Sequence, residues 1–177
     1  QATLAGMAGA KGRAALSRAQ VDLCCRSHII CDMSLFRVAL DTNVLVAASR
    51  SRTGASFAVL QAWRSRRFKA LVSVPLMLEY EAVLNRPEQL AASGRSIAMN
   101  HAFLDAMCLL IEPVHLHYLW RPQLRDPSDE MVLETALNGR ASGIVTLNGR
   151  DFDAASDFRM SVMTPGAFLR QLTKENL

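Results

Sequence analysis

The sequence predicts an α/β domain built on a mostly parallel sheet. Short apolar, β-branched runs alternate with longer segments of helical period. The first clear run, Val38-Ala39-Leu40, reads as a strand buried on both faces. Carboxylates recur just after such runs, at the sheet edge where open α/β folds bind ligands.

Length and composition set the limits. A chain of 177 residues, half apolar and one-fifth charged, suits one domain of globular composition with a real core. It has no run of 18 apolar residues, so neither a membrane-spanning helix nor a membrane partner is expected. Residues 1–32 contain four basic and two acidic residues, so half of the net charge of +4 lies there. The mildly basic remainder allows a nucleic-acid partner without requiring one.

Residues 1–32 differ from the rest, being dominated at first by Ala, Gly, Arg and Ser. They lack the apolar core of a signal peptide. They read as a poorly ordered extension, such as an upstream translated leader, with the compact domain spanning 33–177. Cys24, Cys25, Cys31 and Cys108 form no CxxC pair. Cys25, His28 and Cys31 are spaced three apart, which admits zinc, but the spacing is not a usual zinc signature. All four are read as free thiols of a cytoplasmic protein.

Asp41-Thr42-Asn43 follows the first strand, and the apolar run Val44-Leu45-Val46 comes next. Asp41 alone could be just a helix N-cap. From Ala47 to Lys69 there are six basic residues and no acidic one, around a helix over Phe57–Trp63. Arg64, Arg66, Arg67 and Lys69 read as a solvated face. Arg50 and Arg52, close to the Asp41 edge, are candidates for phosphate contacts. A second strand at Leu71–Val74 leads through Pro75 into a helix from Leu76 to about Asn85, carrying Glu79 and Glu81. Periodicity leaves open which Glu faces the site, and either could simply be solvated.

Pro87–Ser93 is a short helix stopped by Gly94. A longer helix spans Ile97–Ile111, with Ile97, Phe103, Leu104, Met107, Cys108 and Ile111 inward and His101 on the surface. Pro113–Tyr118 alternates like an edge strand, with His115 and His117 facing solvent. Then Asp126 reads as an N-cap with Pro127 at N1 and Asp129 at N3, a pattern that also suits the helix dipole alone. Ile144–Leu147 is a strand ending in the turn Asn148–Phe152, which carries Asp151. Arg159–Met163 and Pro165–Leu172 complete the chain as a strand and a helix.

Asp41, Glu79, Asp126 with Asp129, and Asp151 thus return to one edge, where their charges repel unless a cation lies among them. Hard oxygen donors suit Mg²⁺ or Mn²⁺, and such a site suits phosphodiester hydrolysis. Neither GxxxxGK[ST] nor GxGxxG occurs, which argues against a nucleotide-binding NTPase or dehydrogenase.

LDTNVLVAA at 40–48, VPLMLEYEAVLNRP at 74–87, LRDPSDEMVLETA at 124–136 and IVTLNGRDF at 144–152 resemble the PIN-domain family. They are most similar to its VapC-like branch of toxin components of toxin–antitoxin systems. The resemblance covers about Phe36 to Leu169, and its specificity comes from four motifs in the right order. It implies a Rossmann-like three-layer α/β/α fold, a Mg²⁺ or Mn²⁺ site and endonucleolytic cleavage of single-stranded RNA. By that resemblance Asp41 is the first metal ligand, Glu79 matches the helix glutamate better than Glu81, and Asp129 is the third acid. Asp126 lies beside it as cap or support. Thr42, Asn43 and Thr146 orient the acids or the attacking water. Arg50, Arg52 and Arg125 hold the RNA backbone. A water oriented by Asp129 or Asp151 attacks phosphorus in line, leaving a 5′-phosphate and a 3′-hydroxyl. The implied partners are a cognate antitoxin, which blocks the acidic pocket, and a second copy in a homodimer.

This sequence departs from the family at one position. Many members carry an aspartate two residues after the equivalent of Thr146, where this chain has Asn148. Either Asp151 takes over, or one cation binds well and a second only with substrate. Asn148 also keeps a rival reading open: a non-enzymatic RNA-binding or regulatory domain with a weakened metal site. A PIN-fold nuclease with a housekeeping role would share the same site. A phosphatase of the haloacid dehalogenase type would need Asp at the position of Asn43 and is set aside.

Overall fold

The structure, a computed structural model, describes residues 36–119 and 121–174. The extension expected over 1–32, with Cys24, Cys25, His28 and Cys31, lies outside the described residues. The elements run β1 (Arg37–Leu40), α1 (Thr42–Arg50), α2 (Ala55–Arg64), β2 (Lys69–Ser73), α3 (Val74–Leu84), α4 (Pro87–Ser93), α5 (Ile97–Cys108) and β3 (Ile111–Val114). Then come α6 (Glu130–Asn138), β4 (Gly143–Val145), a 3₁₀ segment (Gly149–Phe158), β5 (Ser161–Met163) and α7 (Pro165–Lys174). Among the described residues no helix is long and apolar enough to cross a membrane.

All strand pairings are parallel, in the order β3-β2-β1-β4-β5. Ala39 sits between Leu71 and Ile144 in register. Successive strand side chains face opposite sides, yet Val38, Ala39 and Leu40 are all buried. Both faces of β1 are therefore covered, which is the expected three-layer α/β/α arrangement. Phe168 of α7 meets Phe36 and Phe68 edge-on, with ring centroids at 5.8 and 4.9 Å. Chain order reverses between β1 and β4, so Asp41 and Thr146, the next residue of each, stand at the switch point of the sheet.

Local signals explain most elements. Val44 and Leu45 belong to α1, which Asp41 caps by accepting the Asn43 amide. Ser73 caps α3 and Pro75 stands in its first turn. Gly94, with φ at +65°, ends α4 in the left-handed region. Gly139 ends α6 where that helix closes on the sheet: a Cβ there would lie 2.8 Å from both Leu71 Cδ1 and Val114 Cγ2.

Strands β2, β4 and β5 are shifted or shortened by one or two residues at their ends, and three differences from expectation are larger. First, α6 begins at Glu130 rather than Pro127. Asp126 Oδ1 accepts the Ser128 amide and hydroxyl at 2.9 and 2.6 Å, making a side-chain turn that displaces the first helical turn. Second, β3 spans Ile111–Val114 rather than Pro113–Tyr118, because its one partner, β2, stops opposite Val114 to enter α3. The expected helix over Ile97–Ile111 accordingly ends at Cys108. Third, Ile97 and Cys108 are exposed, since α5 packs through Asn100, Leu104 and Met107. Buried Asn100 donates to Leu84 O at 2.8 Å, covering a last carbonyl of α3, and accepts from Arg95 Nε at 2.7 Å. His101, His115 and His117 are exposed, as expected, and so are Arg64, Arg66, Arg67 and Lys69.

Candidate functional site

Asp41 is the fixed point of the site. Its amide continues the ladder to Val145 O at 2.9 Å, which holds the carboxylate at the end of β1 beside β4. The side chain is buried, so it needs donors. Thr146 Oγ1 donates to Oδ2 at 2.5 Å, and the Asn43 amide reaches Oδ1 at 3.3 Å. Thr146 in turn is saturated: its oxygen accepts from Asn43 Nδ2 at 3.1 Å and from the Asn148 amide at 3.0 Å. Both of those groups are obligate donors, so the hydroxyl proton is left for Asp41. Asn43 Oδ1 accepts the Leu147 amide at 3.1 Å, tying α1 to the segment after β4. Tyr80 is buried and donates its hydroxyl to Leu40 O, fixing the residue before Asp41 from α3.

Further carboxylates face this point. Burial raises the Asp129 carboxyl to about 7, with repulsion from Asp41, Asp126, Asp151 and Glu79 adding to the rise. Burial likewise raises Asp41, partly offset by Thr146 and by the Asn43 and Thr42 amides, and Asp151 pushes it up again. Glu79 makes the smallest of these repulsive contributions at Asp129. Glu81 Oε1 lies 3.3 Å from His101 Nε2 on α5. Asp126 is exposed and held below the usual carboxylate range by Ser128. Asp151 accepts a hydrogen bond from Asn148 Nδ2.

No basic side chain forms an ion pair with Asp41, Glu79, Asp129 or Asp151 among the described residues. Nor do three acidic, His or Cys side chains among the described residues come close enough to share one ion. The acids are near enough to perturb one another but are not gathered into a coordination shell. Glu79 and Asp129 make no side-chain hydrogen bond among the described residues, so turning either breaks none. Uncompensated hard oxygen donors of this kind fit a divalent cation in chemistry.

The basic candidates are less engaged. Arg50, Arg52 and Arg125 are exposed. Arg50 reaches Gln89 Oε1 at 2.5 Å. Thr42 opens α1, half-buried, and meets Asp41 through its backbone. Sequence reasoning put Tyr80 on the apolar face of its helix without foreseeing its hydrogen bond, and passed over Glu130 and Glu134; all three are buried. The only signal for the two glutamates was polar residues one turn apart on a helix otherwise rich in apolar side chains.

A family model described as PIN domain matches residues 37–150. No curated protein matches the chain. Among solved structures the chain is similar to VapBC2 from Rickettsia felis bound to a DNA fragment from their promoter. The TM-score is 0.51 at 14% identity, over 73% of this chain and 98% of that one. It is also similar to FitAB bound to an IR36 DNA fragment, with TM-score 0.49 and 17% identity, over 72% of this chain and 94% of that one. At 14% identity the VapBC2 likeness speaks to the α/β fold.

Proposed function

The chain belongs to the PIN-domain family, and from that premise we propose that it is a Mg²⁺- or Mn²⁺-dependent endoribonuclease of single-stranded RNA. The observation that carries the reading is the set of carboxylates around Asp129, contributed by four separate segments at the switch point of the sheet and left without basic partners. Asp41, Glu79, Asp129 and Asp151 would hold the cation. When bound, it would supply positive charge to offset the phosphate and to make water more acidic.

The chain's own residues would do the rest. Thr146 and Asn43 hold the Asp41 carboxylate in one orientation, so the site has a rigid side. Asp129, half-buried at the centre of the set, would orient the attacking water, with Asp151 beside it. Asn148 does not replace the missing aspartate. It donates to Asp151, whose charge acts on both Asp41 and Asp129, so Asp151 serves as the fourth acid. Arg50, Arg52 and Arg125 are exposed cations for the RNA backbone.

The VapC-like motifs support a toxin role in a cytoplasmic toxin–antitoxin pair, with a cognate antitoxin and a homodimer as partners. The neutral Asn148 favours a second reading, an RNA-binding or regulatory domain with little or no nuclease activity. Cleavage of a mixed single-stranded RNA pool by the purified chain separates the two. The expected result is cutting with Mg²⁺ or Mn²⁺ that is abolished by EDTA and by Asp41→Asn. Wild-type cutting no greater than that of Asp41→Asn with either metal would favour the binding domain.

A further inference from the structure

Three side chains one turn apart on α6 grip the segment that precedes the helix. Asn138 Oδ1 accepts the His117 and Tyr118 amides at 2.9 and 3.1 Å. Glu134 is 1% exposed and takes the Arg121 guanidinium with both oxygens, each at 2.9 Å. Glu130 is 2% exposed, and its Oε1 accepts the Gln123 and Leu124 amides at 2.6 and 2.9 Å. Residues 117–119 and 121–124 therefore run antiparallel to α6 outside any helix or strand, pinned at each turn. Its backbone groups need partners, and α6 supplies them.

Burying two carboxyl groups on such a helix is costly, and well-packed apolar residues at similar places are often as stabilising or more so. Glu130 Oε2 is buried with no hydrogen-bond partner in the described structure. That cost buys something local: one oxygen of Glu130 ties Gln123 and Leu124 back to the start of α6. The loop closed in this way contains Arg125, Asp126 and Asp129. Within it Asp126 already makes its own turn with Ser128, and the Asp129 amide donates to Asp126 O at 3.1 Å.

We propose that Glu130 is a positioning residue, which by closing the Leu124–Glu130 loop sets where Asp129 and Arg125 stand relative to Asp41. It touches no reacting group; it acts through the loop. The inference rests on the metal-dependent nuclease reading above, and the test keeps the two apart.

The test compares full-length Glu130→Ala, Glu130→Gln and Leu172→Ala, the last removing a buried side chain of α7. Mn²⁺ affinity is read from the rise in melting temperature with metal. Amide exchange is followed over 123–129, and cleavage is measured below every melting transition. Loss of a residue that orients metal ligands typically weakens metal binding about 10–100-fold, and Glu130→Ala is expected to fall in that range, with faster exchange at 123–124. Glu130→Gln keeps an oxygen that can accept the same amides and should recover most of the affinity. Leu172→Ala should lower the melting temperature while leaving affinity and exchange at 123–124 unchanged.

Wild-type Mn²⁺ affinity in Glu130→Ala, or an equal loss of affinity in Leu172→Ala, would overturn the proposal. If Glu130→Ala does not fold, Glu130→Asp, one methylene shorter, takes its place with the same expectation. A wild type that binds Mn²⁺ but cuts no RNA ends the nuclease reading alone, and the affinity series still decides Glu130. A wild type that binds no Mn²⁺ overturns both.

Discussion

Replacing Asp129 by Asn tests whether the carboxylates form one electrostatic site. Burial lifts the Asp129 carboxyl from 3.8 to about 7, and Asp41, Asp126, Asp151 and Glu79 add to the effect. Between those values the native side chain keeps a proton that the unfolded chain has lost. The native state thus binds more protons at this group, so the contribution of Asp129 to stability falls as pH rises from about 4 to 7, then levels off. Such a rise corresponds to ~4 kcal/mol at roughly 1.36 kcal/mol per pH unit. Asp129 is only half-buried, and solvent screening reduces the figure to about 1–2 kcal/mol. The Asp129 side chain makes no capping hydrogen bond, so Asn loses none. Urea unfolding in EDTA from pH 4 to 8 should therefore show Asp129→Asn matching wild type near pH 4 and exceeding it by about 1–2 kcal/mol above pH 7. Added Mn²⁺ should close the gap by stabilising wild type. A gap that stays constant from pH 4 to 8, or that shrinks as pH rises, would refute the reasoning.

Thr146→Val keeps the shape of the side chain but removes the donor to Asp41 and the acceptor of Asn43 Nδ2 and the Asn148 amide. It should lose about 2–4 kcal/mol in urea unfolding, given roughly 1 kcal/mol per neutral bond and more for the bond to a carboxylate; Thr146→Ser should retain most of that stability. Asn148→Asp puts a second carboxylate against Asp151. The metal-free melting temperature should drop, and its rise on adding Mn²⁺ should exceed that of wild type. Gly139→Ala pushes a methyl against Leu71, Val114 and the Thr135 carbonyl, at 2.8, 2.8 and 2.9 Å. An overpacking loss of about 1–3 kcal/mol is expected by thermal denaturation monitored by circular dichroism.

The sequence by itself determined the alternation of strands and helices, the both-sided burial of β1, the helix start at Pro75 and stop at Gly94, and the segments that carry the acids. These depend on side-chain period, turn chemistry and backbone preference, which act over a few residues. The choice between Glu79 and Glu81 was beyond such signals, because both flank the same apolar face of α3. In the fold Glu81 meets His101 of α5, while Glu79 adds to the repulsion on Asp129. The start of α6 was misjudged because Asp126 can cap a helix or close its own turn with Ser128, and in the fold it does the latter. Only tertiary structure decided that Thr146 gives its proton to Asp41, 105 residues away in the chain, that Asn148 restrains Asp151, and that Glu130 closes the loop containing Asp129. Each is a pairing between groups that could equally have met water, and no local pattern selects the partner until the sheet brings the segments together.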